Sequence, residues 1–352
     1  MTYSTPEHRR PALLEILEAI RGARKVVLTT HINADGDGTG CQVALVSWIR
    51  AMGGEAWIVN PSPYPQGLRF LLPEPDPVVE ASSPQAAEVC GQADLVVVVD
   101  TGEISRIGRV KPLVEGLPGI VIDHHPPGDH PIPGISLRDP TAAAAGELVY
   151  DLLLAAGGPW PPEAWRGIYT ALLTDTGGFR FSNTTPAALR VAAEAVEAGV
   201  KPEAIHEGVY GRVTRRSLLL LKEALGELHL GEGGQVAWMT VPPGAYQELG
   251  ADPSDLEGFV DIPRSVEGVE VGLLFRALDD GSTKVSFRSS GDVDVNQVAR
   301  QFDGGGHVKA SGARVTLPLD EARVAVLEAV FDAVRGMGER TDSGAEGTPR
   351  RE

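Results

Sequence analysis

Short apolar runs rich in β-branched residues alternate with amphipathic segments along the first half of the chain. The strand-like runs lie at 25–30, 56–60, 94–100 and 119–125. Apolar positions recur with helical spacing at 39–52, 142–157 and 163–176. The unbroken run at 94–100 is typical of a central parallel strand that is buried on both faces. Strands alternating with helices predict an α/β domain with a parallel sheet, which we place at residues 1–185.

The pattern changes twice in the second half of the chain. Residues 186–225 have an almost entirely helical pattern and are predicted to be a helical connector. Strand-like and helical segments then predict a smaller α/β domain at residues 226–337. Its strands are expected at 235–241, 270–278 and 284–290, and its helices at 294–302 and 320–334. Residues 338–352 are polar, without apolar periodicity, and are predicted to be a disordered tail.

The net charge of −17 narrows the classes of ligand. A protein that binds long duplex nucleic acid non-specifically is expected to be basic, so we expect no such partner. Small anionic substrates remain compatible with the charge if bound metals reverse its sign locally. No apolar run approaches the length of a membrane span, and the amino terminus lacks the layout of a signal peptide. We therefore expect a cytoplasmic protein without a membrane partner.

Acidic residues and histidines follow the ends of three predicted strands and one predicted helix. They are His31, Asp35 and Asp37, then Asp100, then Asp123, His124 and His125, and finally Asp175. Open α/β sheets bind ligands just outside the carboxyl ends of their strands. A lone Asp in such a place is usually a turn or capping residue. The whole set is expected to converge on one edge of the sheet.

These side chains predict a centre that holds two metal ions. Five neighbouring carboxylates would repel one another without cations. Histidine and carboxylate without thiolate suit Mn²⁺, Mg²⁺, Fe²⁺ or Co²⁺ better than structural zinc. Leaving Asp123 aside, the donors are too many for one ion, and a pair sharing a bridging carboxylate favours in-line phosphoryl displacement. The glycines Gly36, Gly38 and Gly40 could let the backbone approach the ions or could simply form a turn.

Several segments resemble the motifs of a known family. HINADGDGTG, VVDTG, IDHHP and TDTGGFRFSNTT resemble the four motifs of the DHH phosphoesterase superfamily. VSFRSSGDVDVNQVA, followed by GGGHVKASG, resembles its DHHA1 substrate-binding domain. The order and spacing are similar to those of the NrnA-type nano-RNases, which also dephosphorylate 3′-phosphoadenosine 5′-phosphate (PAP). The resemblance covers about residues 12–337.

The resemblance implies a role for each motif residue. His31 and Asp35 match the ligands of one metal, and Asp100 matches the bridging carboxylate. The ligands of the other metal correspond to Asp37, His124 and Asp175. His125 matches the histidine that faces the substrate phosphate, and Asp123 is expected to orient its neighbours. Manganese is the metal expected, with Mg²⁺ or Co²⁺ also compatible.

In the second domain the resemblance implies a phosphate-binding site. Its residues are Arg288, Gly304, Gly305, Gly306 and His307. The glycine N–H groups could form an anion-binding nest, although a glycine run alone is more often a flexible turn. The family often has four glycines before the histidine, whereas this chain has Asp303 at the first position. For Arg180 the sequence leaves two roles open, a contact with the substrate and a surface salt bridge.

The function implied is two-metal hydrolysis of short oligoribonucleotides and of PAP, with substrate bound in the cleft between the domains. A cyclic or linear dinucleotide phosphodiesterase shares this architecture and is the main alternative. A non-catalytic nucleotide-binding module is disfavoured because every expected ligand is present. Pyrophosphatases of the superfamily have a different second domain, and RecJ-type exonucleases are usually longer. The expected partners are short RNA or small nucleotides, and a homodimer stays open.

Overall fold

The computed structural model describes residues 3–211, 213–251, 253–256 and 258–343. The chain divides into two units, Met1–Arg212 and Val213–Glu352, and each is described by itself. In the described residues, no helix is both long enough and apolar enough to cross a membrane.

The first unit is built on a five-stranded sheet in which every pair of neighbours is parallel. The strands are β1 (Lys25–Thr29), β2 (Glu55–Ile58), β3 (Leu95–Val99), β4 (Gly119–Asp123) and β5 (Ile135–Arg138). Their order is β2-β1-β3-β4-β5. The strand order therefore switches at β1, because β2 is added on one side of it and β3 on the other. Such a switch point leaves a crevice at the carboxyl ends of β1 and β3, where ligands bind.

Helices cover both faces of this sheet. They are α1 (Arg10–Gly22), α2 (Gly36–Ala51), α3 (Pro84–Gln92), α4 (Lys111–Val114), α5 (Ala145–Ala156), α6 (Pro162–Asp175), α7 (Pro186–Glu197) and α8 (Pro202–Tyr210). Val97 and Val99 of β3 belong to the core shared with α1, α2, α5 and α6, whereas Val96 and Val98 belong to the core shared with α3 and α4. Burial on both faces explains the unbroken apolar run of this strand.

Glycines allow α2 and α6 to approach closely. A Cβ atom added to Gly40 would lie 2.4 Å from the carbonyl oxygen of Gly167 on α6. One added to Gly36 would lie 2.4 Å from Cγ2 of Thr174, next to the end of the same helix. The two glycines thus have a packing role beyond the turn and the ion approach considered from the sequence. This contact brings the last residue of α6, Asp175, to the first turn of α2.

The second unit contains a mixed six-stranded sheet. Its strands are β6 (His229–Gly231), β7 (Val236–Val241), β8 (Val271–Ala277), β9 (Thr283–Ser289), β10 (Gly305–His307) and β11 (Ala310–Val315). The order is β10-β11-β9-β8-β7-β6, and only β7 and β8 are parallel. Its helices are α9 (Arg215–Gly226), α10 (Ala245–Glu248), α11 (Asp261–Arg264), α12 (Val295–Arg300) and α13 (Leu319–Ser343). The predicted α/β class is confirmed in both units.

The predicted connector is shared between the two units. Val191 of α7 and Ile205 of α8 are buried in the main core of the first unit. Leu220 of α9 is buried in a core of the second unit, with residues of β7 and β8. Each helix therefore buries its apolar face against its own unit. At the carboxyl end, α13 continues through residues 338–343, where the tail was predicted to begin, and 344–352 lie outside the described residues.

Candidate metal centre

All eight predicted residues of the first unit lie together at the carboxyl edge of its sheet. His31 and Asp35 follow β1, Asp37 lies in the first turn of α2, and Asp100 follows β3. Asp123 ends β4 and is followed by the two histidines, and Asp175 ends α6. Ion-pair distances of 2.8–3.7 Å connect the set into one network.

Two sets of donor atoms in this network have the spacing of metal sites. The His31 group consists of His31, Asp35 and Asp100, and the His124 group consists of Asp37, His124 and Asp175. Within each group one ligand atom per residue lies within 4.8 Å of the others. Histidine nitrogens and carboxylate oxygens in this combination suit a divalent cation. A third set, Asp100, Asp123 and His125, meets the same distance criterion.

Asp100 belongs to the His31 group and also reaches the His124 group. Its Oδ2 is 3.2 Å from His31 Nε2, and its Oδ1 is 3.6 Å from His124 Nε2. The residue is buried and has a left-handed backbone with φ of 58°, a conformation that Asp tolerates better than most side chains. Within the described residues, Oδ1 accepts no hydrogen bond. A buried carboxylate oxygen in this position fits a bound cation.

The acids of the centre need positive charge in order to be ionised together. Burial raises the pKa of Asp100 well above its usual range, and the nearby carboxylates of Asp37 and Asp35 raise it further. The pKa of Asp37 is raised by burial as well, although His124 opposes the shift. Burial also disfavours charge on His31, but the hydrogen bond to Asp100 and the nearby carboxylate of Asp35 outweigh it and raise its pKa to about 10. Divalent cations would supply the missing positive charge.

Backbone groups orient the His124 group. The N–H groups of Ala145 and Gly146, at the start of α5, donate to Asp37 at 2.7 and 2.9 Å. A helix amino terminus favours such an anionic partner. His124 Nδ1 lies 3.3 Å from the carbonyl oxygen of Ala142, which leaves Nε2 directed towards the acids. No pattern in the sequence marks these contacts.

Asp123 orients His125, and Arg138 in turn contacts Asp123. Its Nδ1 lies 2.8 Å from Asp123 Oδ1, and Oδ2 of Asp123 lies 3.5 Å from Arg138 Nε. A Cβ on Gly102, the glycine of the D-T-G motif, would lie 1.5 Å from Arg138 Nη2, so only glycine leaves room for this guanidinium. Burial raises the pKa of Asp123, but the hydrogen bond from His125 outweighs it and the net shift is downward. Arg138 was missed because β5 was not predicted.

Two residues of the TDTGGFRFSNTT motif acquire definite contacts. The amide of Asn183 donates to the backbone oxygen of Asp175 at 3.1 Å and to that of Ala143 at 3.0 Å. Asn183 belongs to the motif, but the sequence pattern alone predicts no role for it. Arg180 Nε donates to the carbonyl oxygen of Gly177 at 2.6 Å, which folds the side chain over its own turn.

In the second unit, Arg288 and His307 lie in one row across three strands. Ala310 of β11 is the neighbour of both, Arg288 on β9 and His307 on β10. Directly opposed residues of antiparallel strands share a face, so the two basic side chains flank a small one. The row places Arg288 and His307 where they could bind one anion.

The glycines before His307 differ from the predicted loop. Gly305 and Gly306 belong to β10, an edge strand, rather than to an open nest. The N–H of Gly304 donates to the carbonyl oxygen of Ala299 at 2.9 Å, so it is not directed at an anion. Asp303, at the position where the family often has glycine, has φ of 55°. That left-handed conformation explains the preference for glycine there, and Asp can also adopt it.

Comparisons with known proteins agree with this geometry. The model of the DHH family, N-terminal domain, matches residues 25–173, and the DHHA1 domain model matches residues 233–336. The chain is 37% identical to the bifunctional oligoribonuclease and PAP phosphatase NrnA of Thermus thermophilus, over 92% of this chain and 94% of that protein. It is also 25% identical to the cyclic-di-AMP phosphodiesterase GdpP of Geobacillus thermodenitrificans, over 91% of this chain and 49% of that protein.

A solved structure is similar over nearly the whole chain. The exopolyphosphatase-related protein from Bacteroides fragilis has a TM-score of 0.83 at 25% identity, covering 93% of this chain and 97% of that one. The chain therefore belongs to the DHH phosphoesterase family and carries its DHHA1 domain. Within that family it belongs to the NrnA type. The predicted family, and with it the predicted class of phosphoester hydrolases, is confirmed.

Proposed function

We propose that this protein is a two-metal phosphoesterase that hydrolyses short oligoribonucleotides and PAP. The observation that carries the proposal is the position of Asp100, which belongs to the His31 group and faces His31 with one carboxylate oxygen and His124 of the other group with the second. The 37% identical relative from Thermus thermophilus, which is named for these two activities, supports the choice of substrates.

Some residues of the centre would bind the metal ions, and others would contact the substrate phosphate. The His31 group and the His124 group would each hold a divalent cation, Mn²⁺ by preference, with Asp100 shared between them. Bound ions would supply Lewis-acid activation of water and would offset charge on the phosphoryl oxygens. Asp123 accepts a hydrogen bond from Nδ1 of His125 and so fixes the orientation of the ring, in which Nε2 lies at the other edge. That edge would contact a phosphoryl oxygen, while Arg138 keeps Asp123 in place.

The second unit would bind a phosphate other than the one that is hydrolysed. Arg288 offers a planar fork that matches phosphate, and His307 lies in the same row of the sheet. The net charge of −17 disfavours a long basic track for nucleic acid. One phosphate would bind at the metal centre and another at Arg288 and His307, which is what a substrate of a few nucleotides requires.

Two other functions remain as alternatives. A cyclic or linear dinucleotide phosphodiesterase is favoured by the similarity to the GdpP protein, although this chain spans only about half of that protein's length. A non-catalytic nucleotide-binding module would have no need of both donor groups, and both are complete here.

The function can be tested by removing the metals and then comparing substrates. Chelated protein should be inactive, and Mn²⁺ should restore turnover of di- to pentaribonucleotides and of PAP. The panel should also include cyclic di-AMP and its linear product. Faster turnover of cyclic di-AMP would favour the phosphodiesterase alternative, and nucleotide binding without turnover would favour the binding module. Full activity of the chelated protein would rule out the two-metal mechanism.

Arg288→Ala is expected to raise KM for di- to pentaribonucleotides by about 10–100-fold. Loss of a charge-assisted hydrogen bond costs about 1.5–3 kcal/mol, which corresponds to that factor. Activity on bis-p-nitrophenyl phosphate, which offers only one phosphate, should fall much less. Steady-state kinetics on both substrates provide the measurement.

The control is Arg323→Ala on α13, because the two arginines are about equally exposed, at 30% and 32%. Arg323 pairs with Asp320 on its own helix and should leave both activities unchanged. Equal losses on both substrates in Arg288→Ala would mean that Arg288 acts at the reacting phosphate or in folding.

A further inference from the structure

Residues 139–146, which lead from β5 into the first turn of α5, support one donor group only. Its backbone contacts Asp37 through two N–H groups and His124 through a carbonyl oxygen. It reaches Asp175 through Asn183, whose amide also binds the carbonyl oxygen of Ala143. All three donors of the His124 group are therefore held by this segment, which we call the 139–146 loop.

The His31 group is oriented by other parts of the chain. His31 Nδ1 lies 2.9 Å from the carbonyl oxygen of Ile32, and Asp35 accepts from the first N–H groups of α2. The N–H of Asp100 donates to the carbonyl oxygen of Ile122 on β4. Among the hydrogen bonds of the described residues, none joins the 139–146 loop to this group. A disturbance of the loop should thus affect the two groups unequally.

Arg9 bonds the residue that begins the 139–146 loop and the residue that directly follows it. Its Nε donates to Asp139 Oδ2 at 2.7 Å, and its Nη1 donates to Glu147 Oε1 at 2.9 Å. A further bond of 2.8 Å joins Nη1 to Asp151 within α5. The arginine is 2% exposed, so these charge-assisted bonds are shielded from water.

The partners of Arg9 in turn bind the backbone of the loop. Oδ1 of Asp139 accepts from the N–H and the hydroxyl of Thr141 at 2.9 and 2.6 Å. Oε2 of Glu147 accepts from the N–H of Ala143 at 3.2 Å. Each carboxylate therefore uses one oxygen for Arg9 and the other for the loop. The planar guanidinium fixes the distance between these two anchors, which the point charge of a lysine would not do.

We propose that Arg9 is a positioning residue that sets the metal affinity of the His124 group and not that of the His31 group. This inference rests on the proposed two-metal function. Among the described residues, the hydrogen bonds of Arg9 go to Tyr3, Asp139, Glu147 and Asp151 and not to a metal donor. It acts through Asp139, Glu147 and the 139–146 loop. Loss of such outer support typically weakens metal binding by about 10–100-fold.

The test is calorimetric titration of the metal-stripped, full-length protein with Mn²⁺ alone. The wild-type chain should bind two equivalents. Arg9→Met should weaken one equivalent by about 10–100-fold and leave the other unchanged within error. The matched control is Arg21→Met on α1, because Arg21 also reaches α5 but bonds the carbonyl oxygen of Ala156 at its far end. Arg21→Met should bind both equivalents normally.

Combined variants identify the affected group. Added to Asp175→Asn, which impairs the His124 group, Arg9→Met should change Mn²⁺ binding little further. Added to Asp35→Asn, which impairs the His31 group, it should weaken the remaining equivalent. If Arg9 acts through one group, its effect on the free energy of Mn²⁺ binding should not add to that of Asp175→Asn. It should add to that of Asp35→Asn. A general loss of structure would weaken both equivalents in every background.

Removing Arg9 takes the guanidinium from three buried carboxylates, of which Asp139 keeps its contact with His8 Nε2 at 2.8 Å, so the variant could fail to fold. Glu147→Gln provides the second measurement, because it keeps the volume of the side chain and removes only one charge. It should weaken the same equivalent in a protein with a cooperative melt. The inference is wrong if neither Arg9→Met nor Glu147→Gln weakens the binding of one Mn²⁺ equivalent more than that of the other. A wild-type protein that binds no Mn²⁺ would instead count against the proposed function.

Discussion

Asp100→Ala is expected to lower kcat/KM by roughly 10³-fold or more and to reduce the bound Mn²⁺ from two equivalents to one or none. Asp100 is the residue that faces both donor groups, so its loss removes a ligand from each. A factor of 10³ corresponds to about 4 kcal/mol, within what metal-ion stabilisation of a phosphoryl transition state provides. Kinetics with a specific dinucleotide and metal analysis of the purified variant give the two readouts.

Two further variants make this prediction sharper. Alanine disfavours the left-handed backbone of this position, whereas Asn tolerates it, so Asp100→Asn separates the loss of charge from backbone strain. Asp123→Ala, which alters only the support of His125, should cost about 10–100-fold and keep both ions. Two bound ions and near-normal turnover in Asp100→Ala would show that Asp100 does not bridge the metals.

His125→Ala is expected to lower kcat by about 10²–10³-fold while both Mn²⁺ equivalents remain. The side chain is assigned to the substrate phosphate, and removal of one positioned donor to a developing charge costs about that factor. Its Nδ1 is engaged by Asp123 at 2.8 Å, which fixes the ring without a metal. Turnover and metal content should be measured on the same preparation.

The competing assignment for His125 has a definite structural basis. Asp100, Asp123 and His125 bring ligand atoms within 4.8 Å of one another, so the three could hold an ion themselves. Loss of one Mn²⁺ equivalent in His125→Ala would make His125 a ligand. The control is His130→Ala, an exposed histidine in the following loop, which should change neither kcat nor metal content.

Local pattern was sufficient for most of the first sheet and for the position of its candidate metal centre. The apolar runs of β1, β3 and β4 were predicted to within about two residues, because strands buried on both faces leave a continuous signal. β5 was missed, since only Leu137 of its four residues is buried and no run marks it. Convergence of the acidic and histidine residues followed from a topological rule, that parallel strands end at one edge.

The sequence by itself determined the α/β class, the family and the convergence of eight acidic and histidine residues on one edge of the sheet. These follow from local periodicity, from motifs of a few residues and from the edge at which parallel strands end. Tertiary structure alone decided what holds those residues in place. Arg9 and Asp139 are 130 positions apart, and Asp37 and Ala145 are 108 apart. Contacts over such separations leave no periodic pattern in the chain, since they are made only when helices and strands pack. The same holds for Gly40, whose need for glycine depends on the backbone of a helix more than a hundred residues later.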